Sequence, residues 1–300
     1  MCGAAGLPEI CLHARFVSRS LRDWMPEMPA AGRILSVFRR ACIIQYDHDT
    51  LVALVAPELG NGPLNVVVER VPTEWQVLQP GMPVQLRGDR LRLGGLMVSL
   101  EGAETWEPCP DWVRLRARSE TLLDRLERLL VWAARQDPDD TLLALIQDSS
   151  QAEPSTASVM HTRARGAAEA MWAGWRGDEA QLSAGAAQLA GLGSGLTPAG
   201  DDFVLGTMLC ACLAHPTPDR YCETVLEACA PRTTMLSKAF LRSAAAGECS
   251  AAWHRLLEAL TGDSSEQLDA ATHEVLAYGH SSGADALAGF LWMGLRHLEN

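Results

Sequence analysis

Two different rhythms of apolar and polar residues divide the chain near residue 110. Before it, short apolar blocks rich in β-branched residues alternate with turn residues. "ILSVFRRACIIQY" (34–46) is followed by "DHDT", "LVALVA" (51–56), "GNGP", "LNVVVERV" (64–71) and "VQLRGDRLRLGGLMVSL" (84–100). Such blocks predict strands and hairpins, with Gly88-Asp89 as one turn, between about residues 30 and 105. After Pro110 the period becomes helical. In "DWVRLRARSETLLDRLERLLVWAARQ" (111–136), Leu115, Leu122, Leu126, Leu129 and Leu130 fall on one face. Further helices are expected over 139–148, 158–175, 179–190, 202–214, 219–230, 234–246, 249–261, 265–277 and 284–298. The expected class is α+β. Residues 1–110 form a β-rich domain, a mostly antiparallel barrel or sandwich, and residues 111–300 form a larger all-helical domain.

One stretch inside the helical part breaks its texture. "GLGSGLTPAGDD" (191–202) packs glycines, a proline, hydroxyls and paired carboxylates ahead of the apolar run "FVLGTMLCACLA". It lacks the Gly-Lys-Ser/Thr of a Walker A loop, and no strand precedes it as a dinucleotide fingerprint requires. A glycine-rich turn into a helix can still aim backbone N–H groups at an anion. That makes Gly193, Ser194, Gly195, Thr197 and Gly200 candidates for binding substrate or phosphate. Asp201 and Asp202 oppose a plain phosphate cradle. They fit a divalent cation such as Mg²⁺, an acceptor for an amide NH2, or helix capping.

A second loop carries the same theme. "GHSSGADALAGFLWMGL" begins at Gly279, and aligning the acids gives G-x-D-x-x-x-G at both Gly200–Gly206 and Gly283–Gly289. The acid lies in the first turn, with a glycine one turn later on the same face. Mid-helix glycine costs about 1 kcal/mol relative to alanine, a loss that a close backbone approach offsets. The two helices are therefore expected to cross at Gly206 and Gly289, presenting Asp202 and Asp285 together. His280, beside Ser281 and Ser282, is a candidate acid or base, since its pKa lies near neutrality. A bland alternative is a histidine bonded to a backbone carbonyl. In "PRTTMLSKAFLRSAAAGE" (231–248), Thr233 or Thr234 caps a helix, and Arg232 and Lys238, the sole lysine, offer positive charge. The alternative for Lys238 is an ordinary solvated face.

Bulk properties narrow the classes. The 300 residues, 48% of them hydrophobic, can bury a sizeable core, and the net charge of −12 argues against nucleic acid as a partner. The nine cysteines, at 2, 11, 42, 109, 210, 212, 222, 229 and 249, form no CxxC pair or zinc spacing. They read as free thiols in a reducing compartment. No secretory leader is evident, and the longest apolar run, 203–214, is too short for a bilayer, so a cytoplasmic location is expected. The histidines at 13, 48, 161, 215, 254, 273 and 297 are scattered without ligand spacing.

The segments "GLGSGLTPAGDDFVLG", "RTTMLSKAFLRSAAAGE" and "GHSSGADALAGFLWMGL" resemble the AllH-like family, formerly a domain of unknown function. "GPLNVVV" and the glycine-bearing hairpin at 83–98 resemble its N-terminal half. The resemblance implies one subunit of an oxamate carbamoyltransferase of allantoin catabolism, alongside FdrA-like and AllG-like subunits. That enzyme interconverts oxalurate and phosphate with oxamate and carbamoyl phosphate; no cofactor is expected to be required, with Mg²⁺ as the alternative. On this reading Asp202, Asp285 and His280 are the catalytic candidates. Two other readings stay open: a non-catalytic assembly or anion-sensing subunit, and a Mg²⁺-dependent phosphotransferase holding the metal through Asp201 and Asp202.

Overall fold

The computed structural model describes residues 10–27, 31–46, 50–71, 75, 77–118, 122–133, 141–147 and 159–298. The chain separates into two compact units, Met1–Pro108 and Cys109–Asn300.

The first unit is a closed, mixed β-barrel. Its strands are β1 (Ile10–Ser18), β2 (Ala31–Val37), β3 (Ala41–Gln45), β4 (Leu51–Val55), β5 (Asn65–Val68), β6 (Pro83–Arg87), β7 (Arg90–Leu93), β8 (Leu96–Ser99) and β9 (Glu104–Trp106). They are ordered β5-β4-β3-β2-β6-β7-β8-β1-β9, and an antiparallel β1–β5 pairing closes the ring. Most pairs are antiparallel. β1 runs parallel to β8 and β9, and β4 parallel to β5. Closure removes the exposed sheet edges that a sandwich would leave. The barrel also starts earlier than the pattern predicted: β1, from Ile10, is the strand that completes it. Gly88-Asp89 makes the expected two-residue hairpin, with Arg87 opposite Arg90 and Gly88 at φ +55°. Period-two alternation sends Val84, Leu86, Leu91 and Leu93 inward and the flanking arginines outward. Trp75 plugs the interior and satisfies its indole N–H on the Phe38 carbonyl at 3.1 Å.

A short helix α1 (Arg19–Trp24) follows β1. The second unit holds α2 (Trp112–Arg116), α3 (Leu122–Ala133), α4 (Ala144–Gln147), α5 (Val159–Trp175), α6 (Glu179–Leu189) and α7 (Ala199–Ala214). It continues with α8 (Pro218–Cys229), α9 (Met235–Ala245), α10 (Ala251–Leu260), α11 (Ser265–Leu276) and α12 (Ser282–Leu298). The single long helix expected over 111–136 is two, α2 and α3; Asp111 caps the first by accepting from the Arg114 N–H at 3.0 Å. Leu115, Leu122, Leu126 and Leu129 are buried as their spacing required. α7 is apolar all round and sits inside the unit, and α12 packs along it. The described cysteines are free thiols, most of them buried; Cys2 lies outside the described residues. Among the described residues, no helix is long and apolar enough to cross a membrane.

Candidate functional site

The contact between α7 and α12 is backbone on backbone. A Cβ added at Gly206 would lie 1.8 Å from the Ala286 carbonyl oxygen, and one at Gly289 would lie 1.9 Å from that of Phe203. The two glycines thus cross reciprocally, as the paired G-x-D-x-x-x-G pattern predicted. A similar approach seats α12 on α11, where a Cβ at Gly283 would meet the Val275 carbonyl oxygen at 1.9 Å. Because each acid precedes its glycine by one turn, this crossing brings the starts of both helices together. The Thr197 and Ser282 hydroxyls, one from each loop, bond at 3.0 Å.

The glycine loop is held from several sides. Gly191, Gly193 and Gly195 take φ of +72°, +113° and +96°, values that side chains rarely adopt. Asp201, though buried, is a clamp on this loop. Its Oδ1 accepts from the Gly191 N–H at 2.9 Å and its Oδ2 from the Thr233 hydroxyl. Burial raises the Asp201 pKa, and the Thr233, Gly191 and Ser237 donors oppose the rise. The Leu196 carbonyl accepts from Thr234 Oγ1 at 2.5 Å and from Ser237 Oγ at 3.5 Å. Thr234 also caps α9, accepting from the Ser237 N–H at 3.1 Å.

Several expected anion ligands are otherwise engaged. The Gly200 N–H donates to Leu192 at 2.8 Å, and the Asp201 and Asp202 N–H groups donate to Pro198 at 2.9 and 3.2 Å. These first-turn donors close the loop on itself instead of converging outward, because so tight a turn needs them. The Arg232 guanidinium donates to the Ala228 carbonyl at 3.2 Å, at the end of α8. Lys238 is half-buried on α9. His280 is exposed on the turn before α12, with no hydrogen bond to either carboxylate, and Gly193, Ser194 and Gly195 form the exposed crest of the first loop. Among the described residues, no group of three or more His, Cys, Asp or Glu is placed to hold a metal ion.

Asp202 and Asp285 differ from Asp201. Both are buried, and the Oδ2 of each has no hydrogen-bond partner among the described residues. A buried carboxyl oxygen without a donor is costly, so this pair stands out in an otherwise satisfied region. Burial pushes the Asp202 carboxyl up to about 8; the Asp285 and Asp201 charges add to the rise, and the Ser282 and Thr197 hydroxyls oppose it. Burial lifts Asp285 to about 6, against the Leu142 N–H, the Ser281 hydroxyl and the positive charge of His161. Asp285 Oδ1 accepts from the Leu142 N–H at 2.7 Å, tying the segment 141–147 to the start of α12. Leu142 and His161 belong to this region although no motif marks them. Their partner Asp285 is 143 residues away from Leu142, and nothing local encodes that pairing.

Burial thus raises both neighbouring carboxyls, Asp202 further than Asp285. Unequal shifts between neighbouring carboxyls suit one to donate a proton and the other to accept a hydrogen bond. A model of the family described as Oxamate carbamoyltransferase subunit AllH matches residues 189–294, which contain both loops. The AllH family N-terminal domain matches residues 11–105, the barrel. The chain belongs to the AllH family. The family is described as a subunit of oxamate carbamoyltransferase, and a subunit implies partner subunits. No curated protein and no solved structure matches this AllH chain.

The Asp202 ionisation carries a stability consequence. Its pKa is higher in the folded chain than the roughly 3.9 of a free aspartate, so folding favours the protonated form. That stabilisation is complete below about pH 4 and is lost progressively up to about pH 8, on the order of 5 kcal/mol in all, of which only about 1 kcal/mol is lost above pH 7. The urea midpoint of the wild-type chain should therefore fall between neutral and alkaline pH, and that of Asp202→Asn should stay level. A parallel fall in both would assign the loss to other groups.

Proposed function

We propose that this subunit supplies the acid–base pair for carbamoyl transfer, phosphorolysing oxalurate to oxamate and carbamoyl phosphate within a complex containing FdrA-like and AllG-like subunits. A phosphate oxygen attacks the ureido carbonyl of oxalurate and forms a C–O bond. The tetrahedral centre collapses as the C–N bond to the oxamate nitrogen breaks. That nitrogen must leave with a proton, which Asp202 donates; the proton of the attacking hydrogen phosphate returns the balance to Asp202. The carbamoyl NH2 needs an acceptor, which the ionised Asp285 provides through Oδ2. Thr197, Ser281 and Ser282 orient the reacting amide, and His280, on the exposed turn before α12, stands outside this proton balance.

The observation that carries this reading is the buried, unpartnered Oδ2 on each of two neighbouring carboxyls, of which burial raises Asp202 further than Asp285. A small anionic substrate still requires positive charge, for which Lys238 and the exposed loop crest at Gly193, Ser194 and Gly195 are candidates on this chain. The reading needs no cofactor. Mg²⁺ at Asp201 and Asp202 fits less well, because both oxygens of Asp201 already accept hydrogen bonds.

The test is the pH profile of oxalurate phosphorolysis by the reconstituted complex. Activity should rise as Asp285 ionises near about 6 and fall as Asp202 loses its proton near about 8, giving a bell. Asp285→Asn should remove the acid limb. A profile without either limb, or an Asp285→Asn complex with the wild-type profile, would instead leave an assembly subunit whose loops only pack helices.

A further inference from the structure

His161, on the first turn of α5, reaches the site through a single peptide group. Its Nε2 lies 3.3 Å from the Thr141 carbonyl oxygen, and the N–H of the same peptide unit, that of Leu142, donates to Asp285 Oδ1 at 2.7 Å. A carbonyl oxygen only accepts, so the ring must carry its proton on Nε2. The resulting chain runs from imidazole N–H to peptide C=O, and from peptide N–H to carboxylate. Hydrogen bonds in such a chain polarise one another: drawing electron density toward the carbonyl oxygen makes the peptide N–H a stronger donor. We propose that His161 is a positioning residue for Asp285, acting through the Thr141–Leu142 peptide group to hold that carboxylate in place with Oδ2 left for substrate.

The geometry explains why Asp285 is not simply a buried liability. One oxygen is fixed by a donor whose other end is gripped by a histidine, and the second oxygen remains without a partner. Of the elements packed on α12, α7 brings Asp202 toward Asp285. α5 brings His161, and α3, α4 and α11 bring no titratable group to it among the described residues. A positive ring at His161 favours the ionised form of Asp285, so losing it acts in the opposite direction.

The catalytic part of this inference rests on the reading of Asp285 above; the linkage itself does not, and one experiment separates them. The full-length chain, labelled with carboxyl-¹³C aspartate and assigned with Asp285→Asn, is titrated as wild type, His161→Gln and His161→Phe. Phenylalanine removes the donor. Glutamine keeps an N–H donor without a titratable ring, and provides the reading if the bulkier variant does not fold. The Asp285 midpoint should rise in His161→Phe by about half a pH unit or more. Restoration by His161→Gln would support the hydrogen-bond chain, and an equal rise in both would overturn it in favour of the ring's charge acting directly on Asp285. A midpoint unmoved in both variants would overturn the proposal. In the reconstituted complex the acid limb of phosphorolysis should move with the midpoint. If the carboxyl titration moves and Asp285→Asn keeps full activity, the linkage stands and the catalytic reading fails.

Discussion

Asp202→Asn in the reconstituted complex is expected to slow oxalurate phosphorolysis by about 10²–10⁴-fold, the usual contribution of a positioned acid. The substitution is close to isosteric, and it replaces a carboxyl that burial already pushes toward its neutral form. Fold, assembly and ground-state binding should therefore survive, so the loss falls on kcat, with KM little changed. An asparagine NH2 can still donate a hydrogen bond but cannot release a proton to the departing nitrogen. Steady-state kinetics, with gel filtration to confirm the complex, decide the matter. An Asp202→Asn complex within about threefold of wild type would remove this carboxyl from the chemistry.

Gly206→Ala and Gly289→Ala should each lower stability by about 3 kcal/mol or more, and valine at either position should prevent folding. The added Cβ would stand 1.8 or 1.9 Å from a main-chain oxygen of the opposing helix. A flexible side chain can rotate away from such an encroachment, whereas a carbonyl within a helix cannot. The only relief is to push α7 and α12 apart, which opens the core around Phe203, Phe290 and Trp292. Chemical denaturation of the isolated chain measures this. Alanine variants within about 1 kcal/mol of wild type would show that the crossing is looser than described.

The crossing was legible in the sequence because it depends on residue type at fixed spacing: two acids, two glycines and one period. Helix positions were legible for the same reason, since Leu122, Leu126 and Leu129 repeat at helical intervals. Barrel closure was not. It is made by β1 against β5 and β8, with Ala14 opposite Val68 and Ile10 opposite Leu96, and alternation within a strand says nothing about distant partners. The roles of neighbouring polar residues were equally opaque. Asp201 and Asp202 are adjacent and chemically identical, yet helical rotation turns the first to Gly191 and Thr233 and leaves an oxygen of the second unpartnered. Neither the engagement of Arg232 with the end of the preceding helix nor the bond from Leu142 to Asp285 has a local motif.

The two oxygens left unpaired at Asp202 and Asp285 also set a direction for laboratory evolution. A selection for heat resistance alone, blind to turnover, should strike these two positions early and replace them with residues that need no donor. The survivors would be hardier proteins that still assemble, having lost the two carboxyls proposed to carry the chemistry.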